Sequence, residues 1–271
     1  MKITTLIENT TLCPELMAEH GLSLYIETAQ HNILFDMGQS NAFAQNAAKL
    51  GIDLGKVDIA ILSHGHYDHG GGLKTFLSLN DHAPVYMSRH AFGEYFNGTE
   101  KYIGLDVELQ NEPRIRLVGD ELRLDDGLML YSCNERAPIE PLNPYGLNKR
   151  SGEDFLPDDF LHEQYLLIEE EGQRVLISGC SHKGISNIAA WFAPDVLVGG
   201  FHFMKLTDED KLAQASDALL AHPTRYITGH CTGQEQYAQL VDRMGDRLDA
   251  LSTGKVIHLQ AKERDCDVTS I

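Results

Sequence analysis

The amino-acid sequence predicts an α/β fold, and three observations carry that expectation. Short β-type apolar runs recur along the chain, helical stretches follow several of them, and in the second half strand and helix alternate regularly. The 271 residues are 42% hydrophobic with only 9 prolines, enough to bury a sizeable core and too ordered in composition for a disordered chain. No internal repeat, low-complexity tract or Gly/Ser-rich linker divides the sequence, so a single domain over 1–271 is expected.

The elements follow in order. Residues 1–7 alternate weakly and read as a strand, and 22–27 with 32–36 form a hairpin pattern. Ser40 has the chemistry of a helix N-cap before an Ala-rich helix over 41–50 that Gly51 ends. A buried strand over 57–62 runs directly into Ser63-His64-Gly65-His66-Tyr67-Asp68-His69-Gly70-Gly71-Gly72. The middle, 88–160, is rich in Tyr, Phe and Pro and is expected to form an insertion or lid over one end of the core. Beyond it, 163–169 and 174–178 pair as a hairpin ending in Gly179-Cys180-Ser181-His182. A helix over 184–193, a strand over 195–198, a helix over 208–221, a strand over 225–228, a helix over 234–244 and a strand near 255–259 complete the chain. Three of these strands end in Gly followed closely by His, at His182, His202 and His230, which places histidines along one sheet edge.

Composition excludes several classes. With 22 Lys+Arg against 40 Asp+Glu the net charge is −18, which disfavours nucleic acid and anionic membrane surfaces as partners. No run approaches the roughly 18 apolar residues of a membrane helix, and the amino terminus lacks a signal-peptide core, so a cytoplasmic protein is expected. Cys13, Cys133, Cys180, Cys231 and Cys266 are odd in number and scattered, unlike a disulfide framework. Histidine is the unusual residue, with 13 in the chain.

His64-x-His66-x-Asp68-His69 offers four nitrogen or oxygen donors within six residues, on a turn that its glycines allow to close around a small object. Such donors suit Zn²⁺, with Fe or Mn as alternatives. Gly70–Gly72 lacks the Lys-Ser/Thr of a phosphate-binding loop, and no Ser-His-Asp elbow competes.

This motif, after a strand and preceded by Leu34-Phe35-Asp36-Met37-Gly38, resembles the metallo-β-lactamase superfamily. Gly179–Ile185, Gly199-Gly200-Phe201-His202 and His230-Cys231-Thr232-Gly233 are further similar to its dihydropterin/β-ribofuranosylaminobenzene 5′-phosphate synthase subgroup. The resemblance implies a four-layer αββα sandwich with one or two divalent ions at the sheet edges. It implies a first site of His64, His66 and a third histidine, His182 in preference to His162, which is read as an exposed or lid residue. It implies a second site of Asp68, His69 and His230. Where many members carry a bridging Asp this chain has Cys180, a further candidate ligand, while Cys231 is expected to pack beneath the site. Asp36 is expected to accept a hydrogen bond from a ligand imidazole.

The implied activity is a metallohydrolase acting on a small, anionic phosphoester or an acyl ester or lactone, with Asp68 orienting the nucleophile and His202 stabilising the anion or protonating the leaving group. The alternatives are a phosphoribosyl transferase, with Lys149, Arg150, Lys183 and Lys205 as candidates for a pyrophosphate pocket, and a non-catalytic metal- or ligand-binding module. The remaining histidines, His20, His31, His82, His90, His222 and His258, read as surface residues. Nothing in the sequence sets an oligomeric state.

Overall fold

The computed structural model describes residues 1–260; Cys266 lies outside them. Two seven-stranded sheets face each other. In the first, Val256–His258, Lys2–Ile7, Ser23–Glu27 and Asn32–Phe35 are antiparallel neighbours. From Asn32–Phe35 the order continues in parallel through Ile59–Ile61 and Val85–Ser88 to Ile115–Val118. The second sheet repeats the plan: Glu121–Asp125, Leu128–Tyr131, Tyr165–Glu170 and Gln173–Ile177 are antiparallel. Val196–Val198, Arg225–Thr228 and Leu248–Ala250 then continue in parallel.

Strand side chains point alternately to opposite faces, and here both faces are apolar. Ile33 and Phe35 enter the layer between the sheets, where Ile61, Leu166, Ile177 and Val198 meet them. Leu34, between them in sequence, packs outward with Phe43, Ala47 and Phe76 beneath the helices Ala42–Lys49 and Leu73–Leu79. On the far side Leu176 and Leu197 pack outward against Ile188, Leu219 and Leu240. These come from helices Ile185–Phe192, Glu209–Leu220 and Gln234–Met244. The result is the expected αββα order of layers.

The helix expected over 41–50 with Ser40 as its N-cap begins one residue later, at Ala42. Asn41 is its N-cap, while Ser40 Oγ accepts the backbone N–H of Ala42. The short strand Leu248–Ala250 was not expected, because three residues carry no periodicity to read. The stretch 88–160 divides. Its strands Ile115–Val118 and Glu121–Asp125 are the edges of the two main sheets, with Leu128–Tyr131 next to the second edge, anchored by Val118, Leu128 and Leu130 in the inter-sheet core. Tyr95–Asn97, Lys101–Tyr102, Leu147–Ser151 and Asp154–Pro157 form a separate four-stranded sheet. Its Tyr95 and Leu147, with Ile103 and Phe160 just beyond its strands, form a buried cluster on which Tyr67 of the histidine-bearing turn packs.

All the turns of interest leave the carboxyl ends of parallel strands, the edge at which open α/β sheets place their ligands. Among the described residues no helix is long and apolar enough to cross a membrane.

Leu166 is fully buried between the sheets. Leu166→Ala is expected to cost about 2–5 kcal/mol in urea-denaturation stability. An unchanged midpoint would show that the inter-sheet layer is not the main core.

Candidate metal centre

Asp36 stands at the end of the strand Asn32–Phe35 in a left-handed conformation (φ 58°), with its carboxylate fully buried. It collects three donors: Ser63 N–H and Ser63 Oγ–H, each at 2.7 Å, and His69 Nδ1–H at 2.6 Å. Because Ser63 Oγ gives its proton to Asp36, it accepts from His64 Nδ1 at 2.8 Å. Both imidazoles therefore carry their proton on Nδ1 and turn an unprotonated Nε2 inward.

The second half of the chain supplies the opposite wall. Gly179 ends its turn against Ser63, where a Cβ would come within 2.2 Å of Ser63 Oγ, so only glycine fits. Three residues on, His182 Nε2 faces His64 Nε2 at 3.3 Å, and Phe160 stacks flat on the His182 ring at 4.6 Å. His230, also left-handed (φ 50°), has its backbone N–H held by Glu8 Oε1 at 2.6 Å. Asn9 Oδ1 accepts His230 Nδ1–H at 2.9 Å, an amide orientation fixed by Gly21 N–H on the same oxygen. His230 Nε2 is thus also unprotonated, and it lies 3.1 Å from His69 Nε2 and 3.3 Å from Asp68 Oδ2.

Two lone pairs facing each other at 3.1 Å repel unless a proton or a cation lies between them. An ion bound tetrahedrally at about 2.0–2.1 Å sets its ligand nitrogens about 3.3 Å apart, and the His64–His182 and His69–His230 spacings match that edge. His66 Nε2 and His182 Nδ1 are buried without a hydrogen-bond partner. The donor set fits divalent metal in two groups. His64, His66 and His182 converge on one, and Cys180 joins His64 and His69 between the groups, with Sγ 3.2 Å from His69 Nε2. Asp68, His69 and His230 make the other.

Electrostatics agree with that use. Burial first, then the crowd of neighbouring imidazoles, holds His64 and His182 well below the usual imidazole range. Burial pushes His230 down to about 4 despite the Asp68 hydrogen bond. Burial opposes the charge on Asp68, but His69, His20 and His230 outweigh it and hold its carboxyl well below the usual range. His69 is the exception: burial lowers it, yet the Asp36 and Asp68 carboxylates raise it overall.

His162 is not the exposed residue the sequence suggested; it is fully buried. Gly65 N–H donates to its Nδ1 at 3.0 Å, its Nε2–H reaches Asp158 at 3.1 Å, and Tyr95 packs on it at 4.0 Å. Both ring nitrogens are used, which leaves it no lone pair for an ion.

The family profile of the metallo-beta-lactamase superfamily matches residues 17–230. The chain belongs to the metallo-β-lactamase superfamily. It is 27% identical to an uncharacterized protein of Methanocaldococcus jannaschii, MJ0448, over 88% of this chain and 93% of that one. It is 29% identical to the same organism's 7,8-dihydropterin-6-methyl-4-(beta-D-ribofuranosyl)-aminobenzene-5′-phosphate synthase, over 89% and 90%. The crystal structure of Tm1679, a metal-dependent hydrolase of the beta-lactamase superfamily, superposes with a TM-score of 0.79 at 27% identity, covering 96% of this chain and 99% of that one.

Within this superfamily frame, several site residues carried no usable sequence signal. His20, read as a surface residue, is exposed but points Nε2 at Asp68 Oδ2, 3.3 Å away, and packs on His230 at 4.6 Å. Glu163 is fully buried and accepts the backbone N–H groups of His182 (2.7 Å) and Lys183 (3.0 Å). The adjoining cavity, about 170 Å³, is lined by Asp68, His66, His182, His202 and His230, with Lys101 and Lys205 also in its wall. Lys101 was not anticipated.

The four cations offered for a pyrophosphate pocket do not gather. Lys149 pairs with Asp159, and Arg150 lies 3.7 Å from Glu94. Lys183 is buried, its Nζ donating to Ser132 O (2.5 Å) and Asn134 Oδ1 (2.6 Å). Of the four, Lys205 alone reaches the cavity. Lys183 was misplaced because a buried, carbonyl-bound lysine has no sequence mark that separates it from a surface one.

Asp36→Asn is expected to lower zinc affinity about 10–100-fold, since it disturbs the group that sets the His64 and His69 tautomers. Competition with a chromophoric chelator measures it; wild-type affinity in a folded variant would remove Asp36 from this role.

Proposed function

We propose that the protein is a metal-dependent hydrolase of a small anionic ester, either a phosphoester or an acyl ester or lactone. The observation that carries this reading is the convergence of unprotonated His69 Nε2 and His230 Nε2, 3.1 Å apart, beside the Asp68 carboxylate in the cavity wall. His64, His66 and His182 would hold one ion and Asp68, His69 and His230 a second, with Cys180 between them. Zinc suits imidazole, carboxylate and thiolate together, and iron or manganese are the other candidates. An ion there supplies Lewis acidity, which brings the pKa of water toward neutrality and polarises the electrophile.

The chain's own groups do the rest. Asp68, ionised at neutral pH, accepts a hydrogen bond from the attacking water and orients it. Burial first, then His66 and His230, pushes His202 down to about 3, so it stores no proton at neutral pH. Its role is then to offer a neutral N–H to the substrate's anionic group rather than to protonate the leaving group. Lys101 and Lys205 give the mouth a positive field that the net charge of −18 conceals.

Zinc-loaded protein is expected to hydrolyse at least one class in a panel of phosphomonoesters, phosphodiesters and lactones, with activity lost on chelation and restored by metal. Hydrolysis that survives complete metal removal would sink the proposal. Asp68→Asn is expected to lower kcat by about 10²–10⁴, and His202→Ala to raise KM about tenfold or more, as for a lost hydrogen bond to a charged group.

A transferase reading has the printed name of the synthase relative in its favour. It needs a second cationic subsite, and Lys149, Arg150 and Lys183 are engaged elsewhere. Product analysis with and without a phosphoribosyl donor separates the two: a donor-dependent product would replace hydrolysis with transfer.

A further inference from the structure

Beyond the wall formed by His182 and His202 lies a second, larger cavity of about 590 Å³, which shares those two residues with the metal-side cavity of about 170 Å³. The size difference is informative. Ligand pockets for small organic molecules span about 300–1,000 Å³; the larger cavity falls in that class and the smaller has room only for a head group.

The lining of the larger cavity mixes aromatic and aliphatic residues with polar ones, Ser181 and Ser186 among them. Phe201 and Phe203, ring centroids 5.8 Å apart, and Tyr145, whose ring lies 5.5 Å from His202, border it with Ile185 and Leu206. Asn143 and Gln214 contribute carboxamides at its edge. Its charged residues do not favour an anion: Glu140 is one, and the Lys211 ammonium lies 3.9 Å from Asp208.

The walls are fixed in place without a ligand. Asn187, in the first turn of helix Ile185–Phe192, accepts the N–H groups of Ile139 (2.7 Å) and Glu140 (2.8 Å) and donates to Glu140 O (3.0 Å). Lys205 Nζ donates to Tyr145 O at 2.8 Å and ties the other end of that loop to the metal-side mouth. A pocket held this way spends little binding energy on ordering itself.

We infer that the substrate is bipartite: an anionic head over the histidine cluster and an uncharged, ring-bearing tail that passes His202 into the cavity of Tyr145, Phe201 and Phe203. Tyr145, Leu206 and the small exposed part of Phe203 offer apolar contact to a planar group over the buried Phe201, the two carboxamides satisfy its polar atoms, and Glu140 turns away a second anion. This deepens the hydrolase proposal and rests on it only for the placement of the head.

The test uses two probes without a hydrolysable ester, 1-naphthylphosphonate and methylphosphonate, titrated calorimetrically into the zinc-loaded protein. The naphthyl compound is expected to bind at least about tenfold more tightly. Ala215→Trp, which fills the cavity from helix Glu209–Leu220, is expected to remove that preference while methylphosphonate affinity and zinc content stay unchanged. Gln214→Trp is the second variant should the first fail to fold, and the wild-type comparison decides without either. Equal affinity for the two probes, binding of neither, or a preference that survives the filled cavity would overturn the inference. Turnover of 1-naphthyl phosphate is measured separately. A preference without turnover keeps the cavity and removes the hydrolase; turnover without a preference does the reverse.

Discussion

Three buried carboxylates hold the histidine cluster together, and the rest of the site depends on them. Asp36 fixes Ser63 and His69, Glu163 holds the backbone of His182, and Glu8 holds the backbone of His230. Each sits under one histidine-bearing turn and accepts N–H groups that no strand or helix satisfies. A buried carboxylate is costly unless its lone pairs are filled, and a buried N–H is costly unless it finds an acceptor. Here each cost cancels the other. The same hydrogen bonds orient imidazole nitrogens into mutual contact.

Backbone conformation contributes the second constraint. Asp36, Ser181, His202 and His230 all have left-handed backbones, rare for non-glycine residues and strained. All lie just beyond the ends of parallel strands, at one edge of the two facing sheets. The strands, buried on both faces, over-determine where each turn starts, so the strain is carried by the core rather than by the site. A turn of ordinary conformation would continue the strand direction and carry the side chain past the cavity.

Much of this was legible in the sequence, and the reasons differ by element. The strands 225–228 and the helix 234–244 were bounded correctly because glycine and apolar periodicity mark their ends. The metal motif stood out because its donors lie within six residues and are set by one local turn. What escaped was non-local. Glu8, Glu163 and His20 matter through partners 222, 19 and 48 positions away, respectively His230, His182 and Asp68, and a lone acid or histidine gives no sign of such a partner. His162 was misjudged for the same reason: the groups that bury it, Tyr95 and Gly65, are distant in sequence. The edge strands within 115–131 were obscured by polar residues on their open side.

The pairing of His64 with His182 joins residues 118 apart, one from the end of each sheet. An ion shared by them is therefore also a clasp between the two halves of the sandwich. Ligands that bind only the folded state stabilise it by mass action, and a clasp across so long a loop restricts the unfolded chain as well. Loaded and unloaded copies then differ in how often they open, and proteases act on open copies. An ion bound there would thus lengthen the life of the folded chain as well as serve its chemistry.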